Sequence, residues 1–175
     1  GGGGPARGRG DPPRPPPAAG RGGRAGAGAL PAQAALMARL EAVGVLDRAV
    51  AGLPDAAAMQ ARIAAGDALV RPGICALLPL AKLWLTDAIE ESRLPDDPVF
   101  EPLLLAYFPG AMRERFAPFI LRHRLRRELI ATALGNAVAN RIGAAGLARL
   151  AAEAEPALAA RTAWLAAEAF GLEAA

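Results

Sequence analysis

Few side chains in this chain could do chemistry, and most of them lie in one segment. His123 is the only histidine and Cys75 the only cysteine. His123 stands between Arg122 and Arg124, and Glu128 is more than a helical turn away. No carboxylate is therefore placed to orient the ring for general acid–base work. One Cys and one His cannot supply the ligand set of a structural zinc. A single cysteine also excludes an intrachain disulfide. Its place in the apolar run of residues 74–85 predicts a small buried side chain rather than a reactive thiol. No Ser/His/Asp set and no phosphate loop occur at recognisable spacing. On this reading no residue is assigned to catalysis, to cofactor binding or to a metal.

The remaining polar candidates are structural. Thr132, Asn136 and Asn140 form a row at four-residue spacing. On a helix that row runs beside an apolar one of Leu121, Leu125, Leu129 and Ala133, so Asn136 projects between Leu125 and Leu129. An amide there is either paired with another helix, fixing register, or contacts a ligand. The structural reading takes precedence, because an unpaired buried amide costs about 1–3 kcal/mol. Arg122, Arg126 and Arg127 fall off the apolar row and can meet water or an acidic neighbour. An Arg cluster could hold phosphates. Against that, Glu114 and Glu128 interleave with it and no aromatic platform accompanies it. His123, Arg127, Thr132, Asn136 and Asn140 are thus candidates for holding helices together.

These residues need helices to position them. The sequence is 53% hydrophobic, with much of that alanine, and only 5% aromatic. Alanine and leucine with few β-branched residues favour helix. Leu36, Leu40, Val43, Leu46 and Val50 fall on one helical face from Gln33 onward. Asp55 can cap a short helix carrying Met59 and Ile63, closed by Gly66. The next helix is predicted from near Pro72 towards Glu91, with Leu77, Leu80, Trp84 and Ala88 at helical spacing. Asp97 can cap a new start with Pro98 in its first turn. A short helix from Leu103 to Phe108 ends at Pro109, and a turn or two carries Met112 and Phe116. Pro118 suits the first position of the longest helix, which should reach Ile142 before Gly143. Leu147 and Leu150 mark another short helix, and Leu158, Trp164, Leu165, Ala169 and Phe170 a last one. No segment alternates with period two. The expectation is an all-α, irregular multi-helix domain of about six to eight helices.

Residues 1–29 are almost entirely Gly, Pro, Arg and Ala. They cannot bury enough surface to offset ordering, and a disordered low-complexity tail is expected. Arg9-Gly10-Asp11, the prolines from Pro12 to Pro17, and Gly20-Arg21-Gly22-Gly23-Arg24-Ala25 mimic an adhesion tripeptide, a polyproline ligand and a dinucleotide fingerprint. None has the context its mechanism needs. The division is therefore a tail, 1–29, and a helical domain, 30–175. The net charge is +3, and Lys82 is the only lysine. Arg enrichment alongside Gly, Ala and Pro reads as coding bias rather than selection for nucleic acid. No signal peptide is visible, and the apolar run of residues 74–85 is too short to span a membrane. A cytoplasmic location is expected.

A series of short motifs carries a resemblance. It comprises Leu46-Asp47-Arg48, Leu53-Pro54, Arg71-Pro72, Ala81-Lys82-Leu83-Trp84-Leu85, Asp96-Asp97-Pro98, Tyr107-Phe108-Pro109, residues 113–116, residues 123–132, Asn136, Asn140-Arg141 and Gly143. Their order and spacing over residues 36–172 resemble the C-terminal helical region of the large NAD-specific glutamate dehydrogenases of bacteria. The resemblance implies a parent enzyme that converts glutamate and NAD to 2-oxoglutarate, ammonium and NADH. It places the catalytic lysine and aspartate and the dinucleotide-binding fold upstream of the matched region. It implies a non-catalytic helical domain serving interdomain packing or assembly. The partner would be the upstream catalytic domain of the same polypeptide. The full-length protein would be a homo-oligomer, with NAD bound by the parent and no cofactor bound by this chain. The absence of an initial Met fits a fragment.

Two departures from the family pattern predict weakness. Thr and Glu usually flank Arg71-Pro72 as a capping box, but Val70 and Gly73 stand here, a loss of about 1 kcal/mol. Pro79 stands where Ala is usual, and should kink the helix, cost about 3 kcal/mol, or mark a later start. The competing function is an autonomous helical module whose basic tail binds nucleic acid or an acidic partner. It requires salt-sensitive binding through Arg7, Arg9, Arg14, Arg21 and Arg24. A membrane partner is not expected, and nucleic acid is not favoured.

Overall fold

The structure, a computed structural model, describes residues 30–67, 69 and 71–171. The tail motifs, the proposed tail boundary at residue 29 and Val70 lie outside them. The described residues hold seven α-helices and no strand. In order they are α1 Leu30–Ala42, α2 Ala56–Ala65, α3 Arg71–Glu91, α4 Glu101–Ala106, α5 Gly110–Ile120, α6 Arg126–Leu150 and α7 Pro156–Ala169. Two 3-10 turns, Leu94–Asp96 and Pro98–Phe100, join α3 to α4.

The antiparallel pair α3 and α6 is the axis of the fold, and α1, α4 and α7 pack onto α6. Leu77, Ala81, Trp84, Leu85 and Ile89 of α3 and Ile130, Ala131, Leu134, Val138 and Ala139 of α6 are buried in the core. The two backbones come close at Gly135: a Cβ there would lie 2.7 Å from Thr86 Oγ1 and 3.6 Å from Thr86 Cα. A core rich in alanine thus gains contact by closeness rather than by side-chain volume. α7 repeats the device, with Ala157, Ala160 and Ala167 buried around Trp164. The Trp164 ring packs at 5.2 Å from that of Phe100.

Local signals set most boundaries. Asp55 Oδ1 accepts from Ala58 N at 2.7 Å, and Gly66 closes α2 at φ 70°. Asp97 Oδ1 accepts from Val99 N at 3.0 Å with Pro98 in the first turn, as expected. Gly143 breaks α6 at φ 62°, ψ −173°, a region essentially restricted to glycine. The residues carrying Leu147 and Leu150 follow that break.

Other expectations are corrected. The first helix stops at Ala42, with Gly44 at φ 76°. Val50 is therefore 86% exposed on a later turn rather than part of an apolar stripe. α3 runs from Arg71 straight through Pro79, so the helix does not begin at the proline. Pro79 and Cys75 are both exposed, so water can satisfy the Cys75 carbonyl that Pro79 leaves unpaired. Cys75 is accordingly not a buried side chain. Gly73, in place of the capping-box acid, is buried, with room for a Cβ only 3.1 Å from Leu69 and 3.4 Å from Leu53. Over Pro72–Glu91 α3 has the length and mean hydropathy of a membrane span, more than residues 74–85 alone suggest. In this fold its apolar face packs on α6.

The largest correction concerns Pro118. It sits inside α5, and the long helix begins eight residues later at Arg126. Arg122 Nε takes the Pro118 carbonyl at 3.0 Å, the acceptor that a continuous helix would offer to the Arg122 amide. The amides of Arg122 and His123 instead reach Phe119 and Ile120. The apolar row of Leu121, Leu125, Leu129 and Ala133 is therefore broken, and Leu125 is 45% exposed. Asn136 is exposed rather than set into that row.

Candidate functional site

The densest polar arrangement lies where α3 ends and α6 begins. Ser92 terminates α3: its hydroxyl donates to Ile89 O at 2.6 Å and accepts from Leu94 N at 3.1 Å. The last carbonyls of a helix lack intrahelical partners and carry its negative dipole end. Arg127, from the first turn of α6, supplies the donors. Its guanidinium donates to Glu90 O at 2.6 Å and to Ser92 O at 2.8 Å, and pairs with Asp96. Arg126 stands beside it, 3.8 Å from Asp96 and 3.6 Å from Glu101. Two arginines at a helix start oppose its dipole, and Glu128 in the same turn offsets them.

The neighbouring Asp97 is held from the other side. Arg161 of α7 lies 3.2 Å from its carboxylate. The Asp97 pKa is lowered from its ordinary value, first by the Val99 amide and, against partial desolvation, by Arg161. The turn of residues 94–97 is thus bracketed by α6 and α7 through adjacent carboxylates.

The candidate residues divide. His123 is exposed; its Nδ1 accepts from Leu125 N at 3.1 Å, and its ring lies 6.0 Å from Phe108. It shapes the turn before α6. Arg127 performs the clamp just described. Asn140 accepts from Lys82 Nζ at 2.8 Å, tying α6 to α3 at a second point. Thr132 and Asn136 are exposed and make no side-chain hydrogen bond among the described residues. The structure does not bring these five to one place.

Sequence reasoning did not find the acceptors. Asp96, Glu101 and the Glu90 and Ser92 carbonyls could not be matched to Arg126 and Arg127 without the fold. The same holds for Arg141 with Glu168 at 2.7 Å. The acidic pair Asp96-Asp97 before Pro98 was the only available signal. Farther off, Arg48 makes a two-pronged pair with Glu41, each bond 2.7 Å, and Asp47 caps the turn at Ala49 and Val50. These tie the end of α1 to the following turn.

Two cavities among the described residues are lined by other groups. One of about 440 Å³, between the turn at Gly52 and the start of α3, is lined by Leu53, Pro54, Leu69 and Gly73 with Arg62. Another of about 440 Å³, between α1, α3 and α7, carries Arg39, Glu91, Arg93 and Glu155 at its rim. Neither includes His123, Arg127 or Asn140. No group of three metal-ligating side chains occurs among the described residues. Among the described residues there is no strand to lead into a glycine turn, and Gly135 and Gly146 face Thr86 and Ile142 of the protein itself.

A protein-family model described as "Glutamate dehydrogenase, C-terminal" matches residues 66–175. The NAD-specific glutamate dehydrogenase of Pseudomonas aeruginosa is 36% identical over 115 residues, 66% of this chain and 7% of that protein. The protein of the same name from Mycobacterium tuberculosis is 37% identical over 114 residues, 65% of this chain and 7% of its own length. That of Halomonas elongata is 30% identical over 114 residues. The chain therefore spans a small part of the curated relatives it matches. No solved structure matches it.

Proposed function

Because this chain belongs to the glutamate dehydrogenase C-terminal family, we propose that it is the helical end of an NAD-dependent glutamate dehydrogenase and does structural work there. The parent reaction would oxidise glutamate with NAD to 2-oxoglutarate, ammonium and NADH, in amino-acid catabolism. NAD would bind to the upstream catalytic domain, the partner of this segment in the same polypeptide. The full-length protein would act as a soluble, cytoplasmic homo-oligomer. Residues 1–29 would serve as a linker of low complexity ahead of a helical domain over 30–175.

One observation carries the non-catalytic role. Three of the five candidate side chains are used at helix junctions. His123 supports a turn, Arg127 closes the end of α3, and Asn140 receives Lys82. A residue that satisfies backbone groups at a helix junction is committed to that geometry, because removing it leaves unpaired carbonyls.

Two measurements test this. The reading frame ahead of the Gly1 codon should encode a dinucleotide-binding segment with a glutamate dehydrogenase catalytic lysine. A stop codon followed by a start codon there would make the chain autonomous and end this reading. In addition, calorimetric titration of the isolated chain with NAD should show no binding. Binding with the affinity of an ordinary dehydrogenase would overturn the division of labour.

A further inference from the structure

We propose that the outer face of α5 is the surface on which this domain docks onto the remainder of its enzyme, and that the partner surface is apolar and rimmed by carboxylates. This rests on the functional reading above. Met112, Phe116 and Phe119 recur at i, i+4 and i+7, and so share one face of α5. All three are exposed, Phe119 to 69%. Among the described residues α5 packs against α4, and Ile120, one turn beyond Phe116 and adjoining the same stripe, is buried. The helix thus covers only the C-terminal end of its apolar face and leaves Met112, Phe116 and Phe119 open among the described residues.

The exposed face has a definite chemistry. Arg115 lies over the Phe116 ring at 5.3 Å, and Arg122 over the Phe119 ring at 5.9 Å. The two rings meet edge to face at 6.5 Å. Between residues 110 and 125 four arginines, Arg113, Arg115, Arg122 and Arg124, stand against the single Glu114. Aromatic anchors stacked with arginine are the composition of protein–protein hot spots. The positive rim selects an acidic partner.

The alternatives fit less well. A second copy in symmetric contact would set arginine against arginine. By composition residues 1–29, with five arginines and one aspartate, offer no carboxylate complement. A single-stranded nucleic acid stacks on ring faces, and here one face of each ring already meets a guanidinium. The matched segment is 7% of each of two relatives, so a much larger polypeptide surface remains to supply the partner.

The test uses the 175-residue chain and the polypeptide encoded ahead of it in its gene, produced separately and titrated by calorimetry at low and high salt. Binding is expected, weaker at high salt. Phe119→Ser and Arg122→Glu should each weaken it by about tenfold or more. Val50→Ser, on the exposed turn after α1, should leave it unchanged. Both α5 residues are exposed, so the variants should keep the far-ultraviolet circular dichroism of the parent chain. Equal binding by the variants and the parent chain overturns the docking surface while leaving the functional reading intact. Self-association that these variants abolish, or binding to phosphatidylserine vesicles or to a single-stranded oligonucleotide in place of the polypeptide, overturns it too. A gene with no dehydrogenase ahead of this segment overturns the functional reading itself.

Discussion

The α3–α6 seam and the outer face of α5 invert the usual relation between side-chain size and burial. In the seam, Ala81, Ala131, Gly135 and Ala139 are buried, and the backbones close on each other at Thr86. On α5, Met112, Phe116 and Phe119 remain in water. Small residues let two helices approach until their backbones and remaining large side chains fill the space. Large residues contribute little to the stability of this domain when no partner covers them. The difference teaches that stability and recognition are carried here by separate helices. A change in the seam should cost folding, and a change on α5 should cost association only.

That contrast can be broken in several ways, all read by urea unfolding of the 175-residue chain. Leu134→Ala, at a fully buried position of α6, should cost about 2–5 kcal/mol. Phe119→Ala removes a larger side chain and should change stability by less than about 0.5 kcal/mol. Comparable losses at the two sites would erase the distinction. Gly135→Val should cost about 1–3 kcal/mol, because its Cβ would meet Thr86. A neutral result would show that the helices are not closely apposed there. Arg127→Met leaves the Glu90 and Ser92 carbonyls without their donor and should cost about 1–2 kcal/mol. That loss should appear together with fraying of the end of α3 in hydrogen exchange.

The smallest effect depends on pH. Asp97 has a folded pKa below its ordinary value of 3.8, held there by the Val99 amide and Arg161. A group depressed in the folded state stabilises above its unfolded pKa and loses that contribution as pH falls through the folded value. Stability should therefore decline more steeply below the ordinary value of Asp97 in the parent chain than in Asp97→Asn. Identical acid limbs would remove Asp97 from the account.

Legibility followed range. Asp55, Gly66, Asp97, Pro98 and Gly143 were readable because each acts on backbone groups within a few residues of itself. The break after Ile120 was not readable. Pro118 is compatible with the start of one helix or the last turns of another, and the choice was made by Arg122 and His123, whose side chains take up nearby backbone groups. The burial of Cys75 was misjudged because Pro79 and Cys75 share the outer face of α3, where a missing hydrogen bond is tolerated. The junction was half legible: Arg126 and Arg127 stood out, but their acceptors lie 25 or more residues away, at Asp96 and Glu101.

The sequence alone determined the all-helical class, several caps and the family, since composition, local hydrogen bonding and motif order are properties of short stretches. The tertiary structure decided which helical faces meet, which arginine closes which helix, and which aromatic residues are left over. Those outcomes depend on backbone approach and on partners distant in the chain. Gly135 against Thr86, and Arg127 against the end of α3, exist only once two distant helices are laid side by side.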